Sequence, residues 1–314
     1  MNEISVLVVS SGNKKDVISS IVRKQSETIE KEGAQIIYFP LVGSGIRGYI
    51  KNIFRLRKYI RQNHTGFNVV HAHFIWSAIV ATISGAKPLV VSLMGSDLKA
   101  SKFRYLLATA LQRLFWRNII VKTDEMKLML SNKNGVHVVP NGVDFEQFYP
   151  QERNSSCDTL NWPKNKKHIL FAANPNYAVK NFALAKKACN LLNDNDIIIH
   201  YLDNVPYQQM VVHFNAADAV LLTSNYEGSV NVIKEAMACN RPIVSTNVGD
   251  VKNTIGNTTG CYVCEHNPGQ ISEAIKKALT FKNTSGRDNI GFLESGTIAK
   301  KIISIYSSAI NQNK

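Results

Sequence analysis

An α/β chain built from two doubly wound parallel sheets is predicted by three observations. Short runs of apolar residues alternate with helix-period segments from end to end. The alternation restarts at His168 after a polar stretch, Gln151 to Lys167, that is rich in Asn, Ser, Pro and Lys. The length of 314 residues and a hydrophobic content of 45% allow two separate cores. The expected division is residues 1–150, a linker at 151–167, and 168–314.

In the first half, Ile4–Val9 reads as a strand apolar on both faces, with Gly12 in the turn after it and a helix from about Asp16 to Gly33. A single glycine is not a dinucleotide phosphate fingerprint, so Gly12 reverses the chain or lines the acceptor side of a cleft. Gln35–Phe39 follows, then a helix in which Arg47, Lys51, Arg55, Arg57, Lys58 and Arg61 interleave with apolar residues and no acid. Phe67–His73 ends in two histidines at a sheet's carboxyl edge. His71 and His73 are expected to point in different directions, with His73 placed to hydrogen-bond a sugar. Pro88–Leu93 leads into Gly95 and Asp97. Asn118–Thr123 and Val136–Pro140 complete the set, closing on the turn Asn141-Gly142-Val143-Asp144.

In the second half, strand His168–Ala173 precedes a loop with Asn174 and Lys180. Helix Phe182–Leu192, strand Ile197–Leu202, helix Pro206–Asn215 and strand Ala219–Thr223 then alternate. The loop Ser224–Gly228 carries Glu227, and a helix beginning near Ser229 carries Glu235 about two turns in. Amides of Gly228, Ser229 and Val230 at a helix amino end suit an anion, and carboxylates suit hydroxyls. Together they describe a nucleotide-sugar pocket. Strand Pro242–Ser245, the loop with Gly249, strand Gly260–Cys264 and helices Pro268–Phe281 and Thr297–Ile310 finish the chain.

Glu227 and Glu235, with seven residues between them, followed by Ala236-Met237-Ala238, Arg241-Pro242-Ile243-Val244-Ser245 and Gly249-Asp250, resemble the donor site of retaining glycosyltransferases of family GT4. The form Asn174-Pro175…Val179-Lys180-Asn181-Phe182 resembles the teichuronic-acid-type branch. The resemblance implies a GT-B fold, two Rossmann-like domains facing a cleft, with the last helix returning to the first domain. It also implies transfer from a nucleotide diphosphate-sugar to a saccharide or lipid-linked acceptor in cell-surface polysaccharide synthesis, without cofactor or metal. Glu227 and Lys180 would then be catalytic, and Gly228, Ser229, Val230, Glu235, Asn174 and Gly249 would bind the donor. Gly12, His73, Gly95 and Asp97 would lie on the acceptor or sugar side. Met94 stands where the family often has histidine, and the loop before Lys180 lacks the usual arginine. A nucleotide-sugar 2-epimerase and a non-catalytic sugar-nucleotide-binding partner are the alternatives on this architecture.

The net charge of +14 divides as +10 in residues 1–150 and +4 in 151–314. No recognition helix or other nucleic-acid motif accompanies it, so nucleic acid is not an expected partner. The stretch Arg47–Arg61 suits an anionic membrane surface. No run is long enough to span a bilayer and the start lacks a leader pattern, so the expected location is cytoplasmic, with peripheral contact to the inner membrane face. Five cysteines in mostly apolar segments fit reduced thiols, and Cys261-x-x-Cys264 has no second ligand pair for zinc.

Overall fold

The computed structural model describes residues 3–12, 18–43, 45–99 and 101–313, without the side chain of Lys99. It divides into two compact units, Met1–Gly142 with Ser295–Lys314, and Val143–Glu294.

The first unit is a six-stranded parallel sheet of β1 (Ser5–Ser11), β2 (Gln35–Leu41), β3 (Val69–His73), β4 (Leu89–Ser92), β5 (Asn118–Val121) and β6 (Val136–Val138), in the order β2-β1-β3-β4-β5-β6. Val6 to Val9 are fully buried because helices cover both faces. Val70 and Ala72 point into the cluster shared with helices Gly45–Gln62, Ile75–Ile83 and Lys102–Leu114. His71 and His73 take the opposite face. Residues two apart on a strand share a face, so their rings lie side by side at 4.0 Å, which corrects the expectation that they diverge. The first helix is described over Ser20–Lys31, and its expected start at Asp16 lies outside the described residues.

The last helix, Ser295–Asn311, belongs to this unit, as expected. Its buried Tyr306 hydroxyl meets His71 Nδ1 at 2.6 Å, while His71 Nε2 meets Ser92 Oγ at 2.7 Å. Burial, together with the nearby Lys122 charge, pushes the His71 imidazole down to about 3. Burial, His71 and Lys122 likewise hold His73 well below its ordinary value.

The second unit holds β7 (Lys167–Phe171), β8 (Ile197–Tyr201), β9 (Ala219–Leu222), β10 (Ile243–Thr246) and β11 (Cys261–Cys264), ordered β11-β10-β9-β7-β8 and all parallel. Its chain begins earlier than composition suggests. The supposed linker contains helix Arg153–Leu160, which packs on helix Met210–Ala216 with Cys157 fully buried. Its core-facing side is Ser156 and Cys157, too short and too little apolar to register as a period. Residues Val143–Pro150 also belong here. Phe148 packs edge-on against Tyr207 and Phe214, and the Arg287 guanidinium lies 4.1 Å over the Phe145 ring.

With both histidines held neutral by burial, the unfolded chain takes up protons below the ordinary value of 6.5 while the folded chain resists. Stability is therefore expected to be steady above pH 6.5 and to fall below it, by up to about 1.4 kcal/mol per pH unit for each histidine. Urea midpoints followed from neutral pH to about pH 4.5 measure this, and a flat profile would contradict it.

Candidate functional site

In the second unit the chain goes from β7 outward to β8, then crosses back to add β9 on the other side of β7. Open parallel sheets part their loops at such a switch point, and ligands sit there. The loops that part here carry Lys180 and Glu227. They are tied by Asn225 N–H to the Val179 carbonyl at 2.8 Å, Asn181 Nδ2 to Asn225 Oδ1 at 3.1 Å, and Thr223 Oγ1 to the Asn181 carbonyl at 2.9 Å. Lys180 Nζ reaches Glu227 Oε1 at 2.5 Å, and Ser224 Oγ donates to the same oxygen at 2.8 Å. Both charged side chains are mostly buried, at 24% and 18% exposure. Asn174 lies in the loop after β7, donating to Asp203 and accepting from Asn176 N–H.

A third loop, after β10, closes on the second. Gly249 has φ +55°, and a Cβ there would stand 2.0 Å from the Gly228 carbonyl oxygen, so only glycine fits. Asp250 N–H donates to that carbonyl at 3.1 Å. Its carboxylate accepts Val230 N–H at 2.7 Å through Oδ1, and Ser229 Oγ and Lys234 Nζ at 2.8 Å each through Oδ2. The Val230 amide is thus already satisfied inside the protein and is not offered to a ligand, which corrects its expected donor-binding role. Lys234 is fully buried; burial lowers its ammonium value and the Asp250 charge opposes that.

The helix after this loop starts at Asn231, two residues later than expected, so Glu235 is one turn in rather than two. Glu235 is buried, and the Tyr207 hydroxyl hydrogen-bonds its carboxylate. Burial and the charges of Glu235 and Asp144 raise Tyr207 above the ordinary phenol range. Lys180, Glu227, Gly228, Ser229 and Gly249 therefore converge on the carboxyl edge of β7, β9 and β10. Tyr207, Ser224, Lys234 and Asp250 were not anticipated as site residues. Two of them left a signal: Asp250 within the Gly249-Asp250 pattern, and Lys234 as a cation on an apolar helix between Ile233 and Glu235 that burial obliges to find a carboxylate.

The first unit has the same construction. Gly12 follows β1 and His73 ends β3, the two strands that flank its own switch point, and Gly95 and Asp97 follow β4. Gly12 N–H donates to the Leu41 carbonyl at 2.9 Å, which extends the parallel pairing of β1 with β2 by one bond. His73 is buried, with its Nδ1 lacking a hydrogen-bond partner among the described residues. Asp97 is also buried. Its Oδ2 accepts Met94 N–H at 2.8 Å and its carboxylate also takes the Ile75 amide, so it braces the two loops rather than presenting an acceptor to a sugar hydroxyl. Burial raises its carboxyl above the usual range. Among the described residues, no three His, Cys, Asp or Glu side chains gather where they could hold a metal ion.

The Lys234 and Asp250 pair generates a stability prediction. Lys234→Met strands a buried carboxylate and is expected to cost about 3–5 kcal/mol. Adding Asp250→Asn should recover part of that, since an amide oxygen still accepts Val230 N–H. Denaturant midpoints of the single and double variants decide it, and equal stabilities would show the two charges to be uncoupled.

Comparison with known proteins gives this geometry a family. A model described as "Glycosyltransferase Family 4" matches residues 7–147, and one described as "Glycosyl transferases group 1" matches residues 166–280. Relatives named D-inositol 3-phosphate glycosyltransferase are 24% identical in Paenarthrobacter aurescens, over 78% of this chain and 71% of theirs, and 24% identical in an Arthrobacter species, over 77% and 68%. Among solved structures, sucrose-phosphate synthase from Thermosynechococcus elongatus aligns at a TM-score of 0.79 with 14% identity, over 99% of this chain and 100% of that one. HepE of Anabaena in complex with UDP and glucose aligns at 0.71 with 14% identity, over 98% and 100%. The structural likenesses establish the GT-B fold, and the chain carries the two domains of a glycosyltransferase, a family 4 domain over residues 7–147 and a group 1 domain over residues 166–280.

Proposed function

We propose that the chain moves a sugar from a nucleotide diphosphate-sugar to a hydroxyl of a saccharide or lipid-linked saccharide, with retained anomeric configuration and no metal, in the assembly of a cell-surface polysaccharide. The observation that carries this reading is the meeting of Lys180 and Glu227 at the β7–β9 switch point, with Glu235 one turn into the adjoining helix. A solved neighbour of the same fold is described in complex with UDP-glucose, which supports a donor of that kind. The loop spelled Asn-Pro…Val-Lys-Asn-Phe supports the teichuronic-acid-type branch.

The roles follow from chemistry. Glu235, a carboxylate with two acceptor oxygens, takes the ribose hydroxyls. Lys180 offsets the negative charge that grows on the departing phosphate as the bond from C1 to the phosphate oxygen breaks. Glu227 holds sugar hydroxyls and stabilises positive character at C1 while the acceptor oxygen bonds to the same face and gives up its proton to the departing phosphate oxygen. Amides of Gly228 and Ser229 meet the phosphate or sugar, and Gly249 keeps the loop close enough for them to do so. Asn174 borders the donor through the loop after β7. Fixed groups of this kind need no reorganisation during reaction and commonly supply the largest catalytic contribution. Gly12, His73 and the turn at Gly95 form the edge for the acceptor. Such an acceptor places the chain in the cytoplasm, at the inner face of the cell membrane.

Lys180→Ala is expected to lower kcat by about 10²–10³-fold, the effect of losing one preorganised charge stabiliser. Glu235→Gln is expected to raise the donor KM with a smaller change in kcat. Measured with UDP-, GDP- and ADP-sugars, a Lys180→Ala enzyme of full rate would remove the phosphate role. The donor base is identified by thermal shift, because a nucleotide at 100 times its dissociation constant stabilises by about 2.7 kcal/mol.

A further inference from the structure

We infer that the outward face of helices Gly45–Gln62 and Lys102–Leu114 is a docking surface for an anionic lipid bilayer, entered by Phe54 and Leu106 and held by the cations around them. The two helices lie over the same face of the first sheet. Tyr49, Ile53 and Leu56 of one and Leu107, Ala108 and Leu111 of the other join a single apolar cluster, and Arg104 of the second acts on Tyr49 of the first. Their outer surfaces therefore face solvent together.

An ordinary amphipathic helix spends its apolar residues on the core. These two do that and keep more. On the first, Asn52 and Leu56 are buried, and at about 100° per residue Phe54 falls on the opposite side. Phe54 is 65% exposed, with Ile46 and Ile50 on the turns before it also exposed. Arg47, Lys51, Lys58 and Arg61 surround that line and are exposed as well. On the second helix Ala108 and Gln112 are buried, while Phe103 and Leu106 point outward, both more than 60% exposed, between exposed Lys102 and Arg113.

The charge identifies the occupant. Residues 47–61 hold six Lys and Arg, residues 99–117 hold five, and neither stretch has an acid. A second copy of the chain would set these cations against themselves. A bilayer with acidic headgroups accepts the cations at its surface and the apolar side chains just beneath, the arrangement of an interfacial helix. No helix among the described residues is long and apolar enough to cross a membrane, so the contact is peripheral. This partner rests on the inner-face location given above, but its test uses no donor or acceptor, so it fails or stands apart from the transfer reaction.

The full-length chain is sedimented with vesicles of phosphatidylcholine, with and without phosphatidylglycerol, at low and at high salt. Binding is expected only with the anionic lipid, and is expected to weaken at least about tenfold at high salt as screening shortens the reach of the charges. Phe54→Ser with Leu106→Ser, both at exposed positions, should weaken it by a similar factor, while Leu191→Ser, an exposed apolar residue of the second unit, should leave it unchanged. Three results overturn the inference. They are no binding to anionic vesicles at low salt, binding that ignores the Phe54 and Leu106 changes, and a doubled solution mass or retention on an RNA oligonucleotide that those two changes abolish.

Discussion

The order in which the strands are laid down constrains everything else. In each unit the second strand goes to one side of the first and the third to the other, so two carboxyl-terminal loops leave neighbouring strands in different directions. Loop backbone has no ladder to satisfy it, and a buried amide or carbonyl without a partner is costly. In the second unit the loops satisfy one another: Asn225 N–H on the Val179 carbonyl and Thr223 on the Asn181 carbonyl bind the β9 loop to the β7 loop, and Asp250 N–H on the Gly228 carbonyl binds the β10 loop to the β9 loop. Lys180 and Glu227 meet because their backbones are already joined on either side.

The buried Lys234 and Asp250 pair belongs to the same construction. An ion pair of this kind is weak as a source of stability, since removing two charges from water costs about as much as their attraction returns. Its value here lies in what else Asp250 holds. One oxygen takes Val230 N–H and the other Ser229 Oγ, so an apolar pair of equal volume would strand the amide at the helix start and a neighbouring hydroxyl. Lys234 is the counter-charge that lets a carboxylate sit there. A carboxylate already faces the helix amino end, so the positive pole is partly answered before any ligand arrives.

Most strands were legible because a strand covered on both faces reads as an uninterrupted apolar run, and Ile4–Val9 and Ala219–Thr223 fall within two residues of β1 and β9. Lys180, Glu227 and Gly249 were legible because their neighbours spell a family pattern. What escaped shares a cause: it depends on partners distant in sequence. Helix Arg153–Leu160 buries Cys157 and Ser156, residues that carry no hydrophobic period. Tyr207 turns to Glu235 across the fold. The Val230 amide looked available because its acceptor lies 20 residues on. Asp97 looked open to a sugar because one of its two amide donors, Ile75, lies 22 residues back, although the other, Met94, is in its own loop. The divergence expected of His71 and His73 failed on the strand's own period of two, which sets both rings on one face.

The contact between Lys180 and Glu227 also bears on how the proposed reaction would begin. In the free chain the ammonium is shared with one carboxylate oxygen, and Ser224 holds that same oxygen. A diphosphate arriving within reach brings two or more negative charges, each worth about 4 kcal/mol to a cation 4 Å away at the effective dielectric of a protein surface. A single carboxylate supplies one such interaction, so the ammonium turns toward the phosphates. Ser224 still anchors Glu227 after that turn, and its second oxygen, no longer balanced by a lysine, becomes the stronger acceptor for sugar hydroxyls and the stronger neighbour for positive charge at C1. The resting pair would then keep both groups in place and electrically quiet until a donor separates them, without any movement of the backbone that carries them.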